Sequence, residues 1–169
     1  MVTNLSEREM AKDPYRDNLG PKPVLASKIP VRARIVAVMD GHFADRGLEL
    51  IVQRTRAVSA GMVHELIGSD EPGIAAGSVV NRISYLGFVE MLNAGVLSIG
   101  DEVRVGDVVV GHLAGFDYTH MPNHMNIVIS VPRALSGTDR QFELDQPVIF
   151  LAANAPPAVK GLAAEKPGS

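Results

Sequence analysis

The order of apolar and polar positions along the chain predicts a series of short β-strands. Residues 29–39 start with apolar and charged residues in alternation and continue as an unbroken apolar run, which indicates a strand buried at its far end. Asp40-Gly41 is a turn signal, and we expect 48–56 to be the return strand. Further runs of β character cover 77–90, 96–113, 126–130 and 147–152. The chain therefore reads as mainly β.

Two segments leave room for helix. Residues 57–67 fit a short helix as well as a strand, and the segment 88–92 carries a similar ambiguity. The fold that we predict is a small barrel or curled antiparallel sheet with at most two short helices. A mixed α+β fold is the alternative.

Glycines followed by aspartate indicate sharp corners between strands. Gly100-Asp101 and Gly106-Asp107 both lie between short Val-rich runs. Glycine adopts backbone angles that other residues resist, so such steps are typical of turns in small twisted sheets. We expect the chain to reverse at both positions.

The length of 169 residues suits one compact domain, which we place at 24–153. Residues 1–23 are charged and predict a separate N-terminal arm, and 154–169 are rich in Ala, Pro, Lys and Gly, as in a flexible tail. A small sheet has edges to cover, so we expect a homo-oligomer.

Composition narrows the possible partners. The net charge is −3 and no cluster of Lys and Arg lies beside aromatic residues, which disfavours nucleic acid as a partner. No apolar run approaches the roughly 18 residues that span a bilayer. The sequence has no Cys, which excludes disulfides, thiolate nucleophiles and Cys-based metal sites and fits a reducing, cytoplasmic location.

Candidate chemistry is concentrated between two apolar runs, in the segment 106–130. Pro122 disfavours a helix there, because proline lacks a backbone donor and pushes the preceding residue toward extended geometry. In the extended chain after it, His124 and Asn126 share one face, and Met125 and Ile127 share the other, core-facing side. The polar face predicts the mouth of a pocket that takes a small-molecule ligand.

The segment offers the parts of an acid–base site. His120 and His124 are the candidate general acid and base, and Asp117 is near enough in sequence to accept a hydrogen bond from the His120 ring and fix its tautomer. The other candidates for contact with a substrate are Asn123, Asn126, Tyr118, His112 and Arg82.

Arg82 lies outside this segment and interrupts an apolar β run together with Asn81. It suits bidentate binding of a carboxylate or phosphate, or alternatively an ion pair with an internal Asp or Glu. The polar connection 42–47 is a surface loop or overhangs the pocket. His64, next to Glu65, shows no spacing typical of a site, and we interpret it as a surface residue.

Three functions remain open. The first, which we favour, is a metal-free enzyme of lyase, isomerase or hydrolase type that uses histidine acid–base catalysis on a small polar or anionic substrate. The second is a metal-dependent enzyme with ligands drawn from His112, His120, His124 and Asp117. The third is a non-catalytic oligomeric module that binds a ligand. No phosphate-binding loop, dinucleotide fingerprint or His-Glu-x-x-His motif is present in the sequence.

Overall fold

The computed structural model describes residues 28–153. The predicted arm, 1–23, and the predicted tail, 154–169, lie outside the described residues. The described chain contains twelve strands and no helix, and therefore no helix that could cross a membrane. The strands are β1 (Val31–Val38), β2 (His42–Phe43), β3 (Leu48–Glu49), β4 (Thr55–Val58), β5 (Val63–Ser69), β6 (Val79–Val80), β7 (Ile83–Met91), β8 (Gly95–Ser98), β9 (Glu102–Val105), β10 (Val108–Asp117), β11 (Asn126–Ser130) and β12 (Pro147–Leu151).

One curled sheet dominates the molecule and confirms the mainly-β prediction. Its strands follow the order β1-β12-β9-β10-β11-β5-β7-β2, and β1 also pairs with β7. The pairings thus run in a ring through seven strands, with two small extra sheets, β3-β6 and β4-β8. All pairs in the large sheet are antiparallel except β11 with β5, which is parallel. The two segments that left room for helix lie in or next to β5 and β7.

The local predictions hold to different degrees. Gly100 and Gly106 take positive φ angles, 94° and 57°, at the turns on either side of β9, as the Gly-Asp steps predict. The predicted return strand over 48–56 is wrong as a partner of β1. Residues 48–49 pair with β6 and Thr55 begins β4, while β1 pairs with β7 and β12. β1 therefore pairs with strands that are distant in sequence and does not form a hairpin with the next segment of the chain.

Two apolar cores cover the two faces of the sheet. The inner core fills the ring and takes residues from every ring strand, among them Ile35, Leu66, Phe116, Ile127 and Phe150. The outer core lies under β3 and β6 and consists of Leu48, Leu50, Ile67, Val80, Ile83 and Val128. Because side chains alternate along a strand, β5 and β11 contribute to both cores. Consequently the polar residues His64, Glu65, Ser69 and Asn126 of these two strands are buried.

Candidate functional site

The candidate site lies at the end of the sheet where β10 leaves and β11 returns. Residues 118–125 form turns between the two strands, with no helix, as Pro122 predicts. The register of the ladders aligns four residues across neighbouring strands of the outer face. Asp117 lies opposite Asn126, Asn126 opposite Glu65, and Glu65 opposite Phe88. Directly opposed residues have their side chains on the same face of a sheet.

Asp117 is buried, with 1% of its surface exposed, and is fully engaged in hydrogen bonds. It accepts from the Thr119 backbone N–H at 3.2 Å, the Thr119 hydroxyl at 3.0 Å and the Asn126 amide Nδ2 at 2.9 Å. The predicted hydrogen bond from the His120 ring to Asp117 is not among these contacts. Asp117 instead holds the turn to the start of β11.

Glu65 is the buried carboxylate next to the histidines. It is 5% exposed, and within residues 28–153 its carboxylate accepts no hydrogen bond. Burial raises the pKa of this carboxyl, while the nearby His120 imidazole and Arg46 guanidinium act in the opposite direction. The neighbouring His64 is 2% exposed, so its interpretation as a surface residue is wrong. Both belong to β5, which is covered on both faces.

His120 and His124 extend from the turn toward Glu65. Their rings stack with centroids 4.9 Å apart, and the His124 Nε2 lies 3.6 Å from the Glu65 Oε2. One potential ligand atom from each of the three residues lies within 4.8 Å of the others. His120 is exposed, His124 half-buried and Glu65 buried. The cluster is therefore open to solvent on the side of His120.

Contacts around His124 set its orientation and tautomer. Its Nδ1 lies 2.7 Å from the Asn123 Oδ1, an acceptor, so Nδ1 carries the proton. The Phe88 ring packs edge-on against the imidazole, with centroids 5.1 Å apart. In a neutral ring the Nε2 then has a free lone pair. This atom is buried and has no hydrogen-bond partner among the described residues.

A third acceptor beside the cluster is also unpaired. The Asn126 Nδ2 donates to Asp117, while its Oδ1 is buried without a partner in the described part of the chain. Asn126 and Glu65 are neighbours across the ladder. The Glu65 carboxylate, the His124 Nε2 and the Asn126 Oδ1 thus form one patch of acceptors that receives no hydrogen bond from residues 28–153.

His64 faces the opposite side of β5, toward the inner core. Its Nδ1 accepts a hydrogen bond from the Met125 backbone N–H at 3.1 Å. Burial lowers the pKa of His64 to about 4, and the charges of Arg56 and His124 act in the same direction. At neutral pH this imidazole is uncharged, and its hydrogen bond fixes the start of β11 against β5.

The structure separates the other predicted residues from this cluster. Arg82 is exposed and forms an ion pair with Asp70, which is the alternative that the sequence left open. His112 is exposed on β10, opposite Ser130, and lines a shallow depression of about 330 Å³ that includes none of the cluster residues. Tyr118 packs against the inner core with Arg56 over its ring, 5.7 Å from the centroid.

Sequence reasoning missed two charged residues of this region, Glu65 and Arg46. A Glu within the apolar run of β5 was the available signal, since a carboxylate in a strand buried on both faces needs a partner or a ligand. Arg46 lies in the connection 42–47, for which the sequence allowed an overhanging position.

Comparison with known proteins gives a family without an assigned activity. No match was found among curated proteins or among solved structures. Residues 25–151 match the model described as "Family of unknown function (DUF6917)". Since this match covers most of the chain, the protein belongs to that family.

Proposed function

We propose that this protein is a metal-dependent enzyme in which Glu65, His120 and His124 bind one divalent transition-metal ion. Two imidazoles and one carboxylate are a common ligand set for zinc and for non-haem iron. Metal–ligand bonds of about 2.0–2.2 Å separate two ligand atoms by at most about 4.4 Å. The three atoms already lie within 4.8 Å of one another, so small side-chain rotations would close the site.

The observation that carries the proposal is the patch of unpaired acceptors. Buried polar atoms in proteins nearly always have a partner, and a buried carboxylate without one is costly. Among residues 28–153 the buried His124 Nε2 and Asn126 Oδ1 have no partner and the Glu65 carboxylate accepts no hydrogen bond, and a single proton on Glu65 could be donated to only one of the other two atoms. A cation with a coordinated water would satisfy all three.

The arrangement favours a catalytic site over a structural one. Three protein ligands leave at least one coordination position open, whereas structural sites close all four. The exposed His120 leaves this position accessible to a small molecule. A bound metal would supply Lewis-acid activation of water or of a substrate oxygen, which suits hydrolase, lyase or isomerase chemistry. Asn123 would hold the His124 ring with its Nε2 toward the ion.

A metal-free acid–base pair is the second candidate. The separation of 3.6 Å between the His124 Nε2 and the Glu65 Oε2 favours it, because a doubly protonated His124 could move to donate to Glu65. In this form Glu65 and His124 take the roles that the sequence assigned to Asp117 and His120. The cytoplasmic location, the homo-oligomer and the small-molecule ligand stay predictions in both cases.

Metal binding by untagged protein tests the proposal. Apo protein prepared with chelator should take up one equivalent of Zn²⁺ or Co²⁺ in equilibrium dialysis, measured by elemental analysis. His120→Ala, His124→Ala and Glu65→Gln should each lose this equivalent, and His112→Ala, an exposed histidine on β10, should keep it. A wild type that binds no metal at tens of micromolar, or one whose binding survives these changes, would refute the metal site and leave the acid–base pair.

A further inference from the structure

Arg46 is a cation beside the candidate site that the proposed metal centre does not use. It is half-buried in the connection between β2 and β3, where its backbone N–H donates to the Asn81 carbonyl at 3.0 Å. Its side-chain Nε donates to the Tyr85 hydroxyl at 3.1 Å. Tyr85 packs against the outer core on β7, so the guanidinium lies over the face that carries Glu65.

Within the described part of the chain, no ion pair neutralises the charge of Arg46. Arg34, Arg82 and Arg104 each have a carboxylate within 4.0 Å, but Arg46 has none among residues 28–153. Tyr85, which holds its Nε, lies opposite Ile67 on β5, two residues from Glu65 and on the same face of that strand. With Nε held by Tyr85, the two terminal nitrogens have no hydrogen-bond acceptor among residues 28–153.

A guanidinium fixed at one nitrogen matches the geometry of an oxyanion. Its terminal N–H groups form a planar fork that binds carboxylate or phosphate in a bidentate manner. A divalent metal at Glu65, His120 and His124 would leave the nearby site with a net positive charge. That charge favours an anion over a neutral molecule.

On the basis of the proposed function, we infer that the substrate is a small oxyanion, bound through one end to Arg46 and through an oxygen to the open coordination position of the metal. The sequence assigned anion binding to Arg82, but that residue is paired with Asp70. Arg46 lies on the face that carries Glu65 and has no such partner among the described residues.

Visible absorption of the Co²⁺ protein provides the test, because the d–d bands report a change in coordination. Malonate or inorganic phosphate should shift the bands saturably, and neutral malonamide should not. The comparison of malonate with phosphate identifies the preferred anion. Arg46→Gln should lower the affinity for the anion at least 10-fold without changing the affinity for Co²⁺. Arg46→Lys should recover part of the loss, since it keeps the charge but not the fork.

Arg82→Gln is the matched control and should bind both the metal and the anion as the wild type does. Co²⁺ protein whose bands do not move with either anion would overturn the inference and leave the metal site standing. Equal anion affinity in Arg46→Gln and wild type would do the same. If the wild type binds no Co²⁺, both the proposed function and this inference are refuted.

Discussion

Two buried carboxylates flank Asn126 on the outer face, and their surroundings differ sharply. The region around Asp117 is saturated: the carboxylate accepts from Thr119 twice and from Asn126 once. Around Glu65, residues 28–153 provide no hydrogen bond to the carboxylate, only two imidazoles and the unpaired Asn126 Oδ1. The carboxylate that already has its partners supports the fold. Glu65 lacks such partners among the described residues, and the proposed function uses its carboxylate as a metal ligand.

The largest effect should come from removing the charge of Glu65. Glu65→Gln should abolish stoichiometric metal binding, with at least a 100-fold loss of affinity, because a carboxylate ligand is replaced by a weak neutral one. Without metal, the variant should be as stable as the wild type or more so, since the amide can donate to the Asn126 Oδ1. Dialysis and urea unfolding in chelator measure the two properties.

Glu90→Gln is the matched control, because Glu90 lies on β7 in an exposed pair with Arg34. It should leave the metal affinity unchanged. Glu65→Gln protein that still holds one metal equivalent would remove the distinction between the two carboxylates.

The next effect concerns the residue that orients His124. Asn123→Ala removes the acceptor of the Nδ1 proton, so the imidazole loses its fixed tautomer and orientation. Loss of such a supporting hydrogen bond lowers metal affinity about 10–100-fold. A competition titration with a chromophoric chelator would measure it. Affinity within twofold of the wild type would show that Asn123 does not hold the ligand.

Asp117→Ala should produce the opposite pattern. It leaves the Thr119 hydroxyl and the Asn126 amide without their acceptor, which should cost about 1–3 kcal/mol of the free energy of unfolding. Metal affinity should change by only a few-fold, because Asp117 is not a ligand. Urea unfolding compared with dialysis of the same variant separates the two. A variant that loses the metal but keeps its stability would instead make Asp117 part of the site.

The smallest effect should follow a change at Arg82. Its ion pair with Asp70 is exposed to solvent, and such pairs contribute about 0–1 kcal/mol. Arg82→Gln should therefore alter neither metal binding nor stability by a large amount. Thermal melting with and without metal measures both. A fall in metal or anion affinity would show that Arg82 contributes to the site.

Local patterns along the chain predicted one half of the candidate site. The alternation after Pro122 correctly placed His124 and Asn126 on one face and Met125 and Ile127 in the core, because side-chain direction in a strand depends only on position. The turn between β10 and β11 followed from the same residues. These are properties of a few consecutive residues.

The other half of the site comes from a distant strand, and no local pattern determines which strand that is. Glu65 reaches the histidines because β5 pairs with β11, a choice made by the packing of Leu66 and Ile67 into two different cores. Asp117 is the carboxylate nearest to His120 and His124 in the sequence, so local patterns predict it as the hydrogen-bond partner of a histidine. In the folded protein it is already occupied by Thr119 and Asn126.

The parallel pairing of β5 with β11 also bears on how the protein folds. Parallel strands cannot be joined by a tight turn, and here the contact between Met125 and His64 spans 61 positions of sequence. Contacts between distant parts of a chain form slowly, because the chain loses loop-closure entropy before the contacts contribute any stabilising free energy. The three ligands come together only once this pair has formed. A metal ion bound by all three residues would therefore slow unfolding of the closed ring. It would not speed folding, because the strands must pair before the ion can bind.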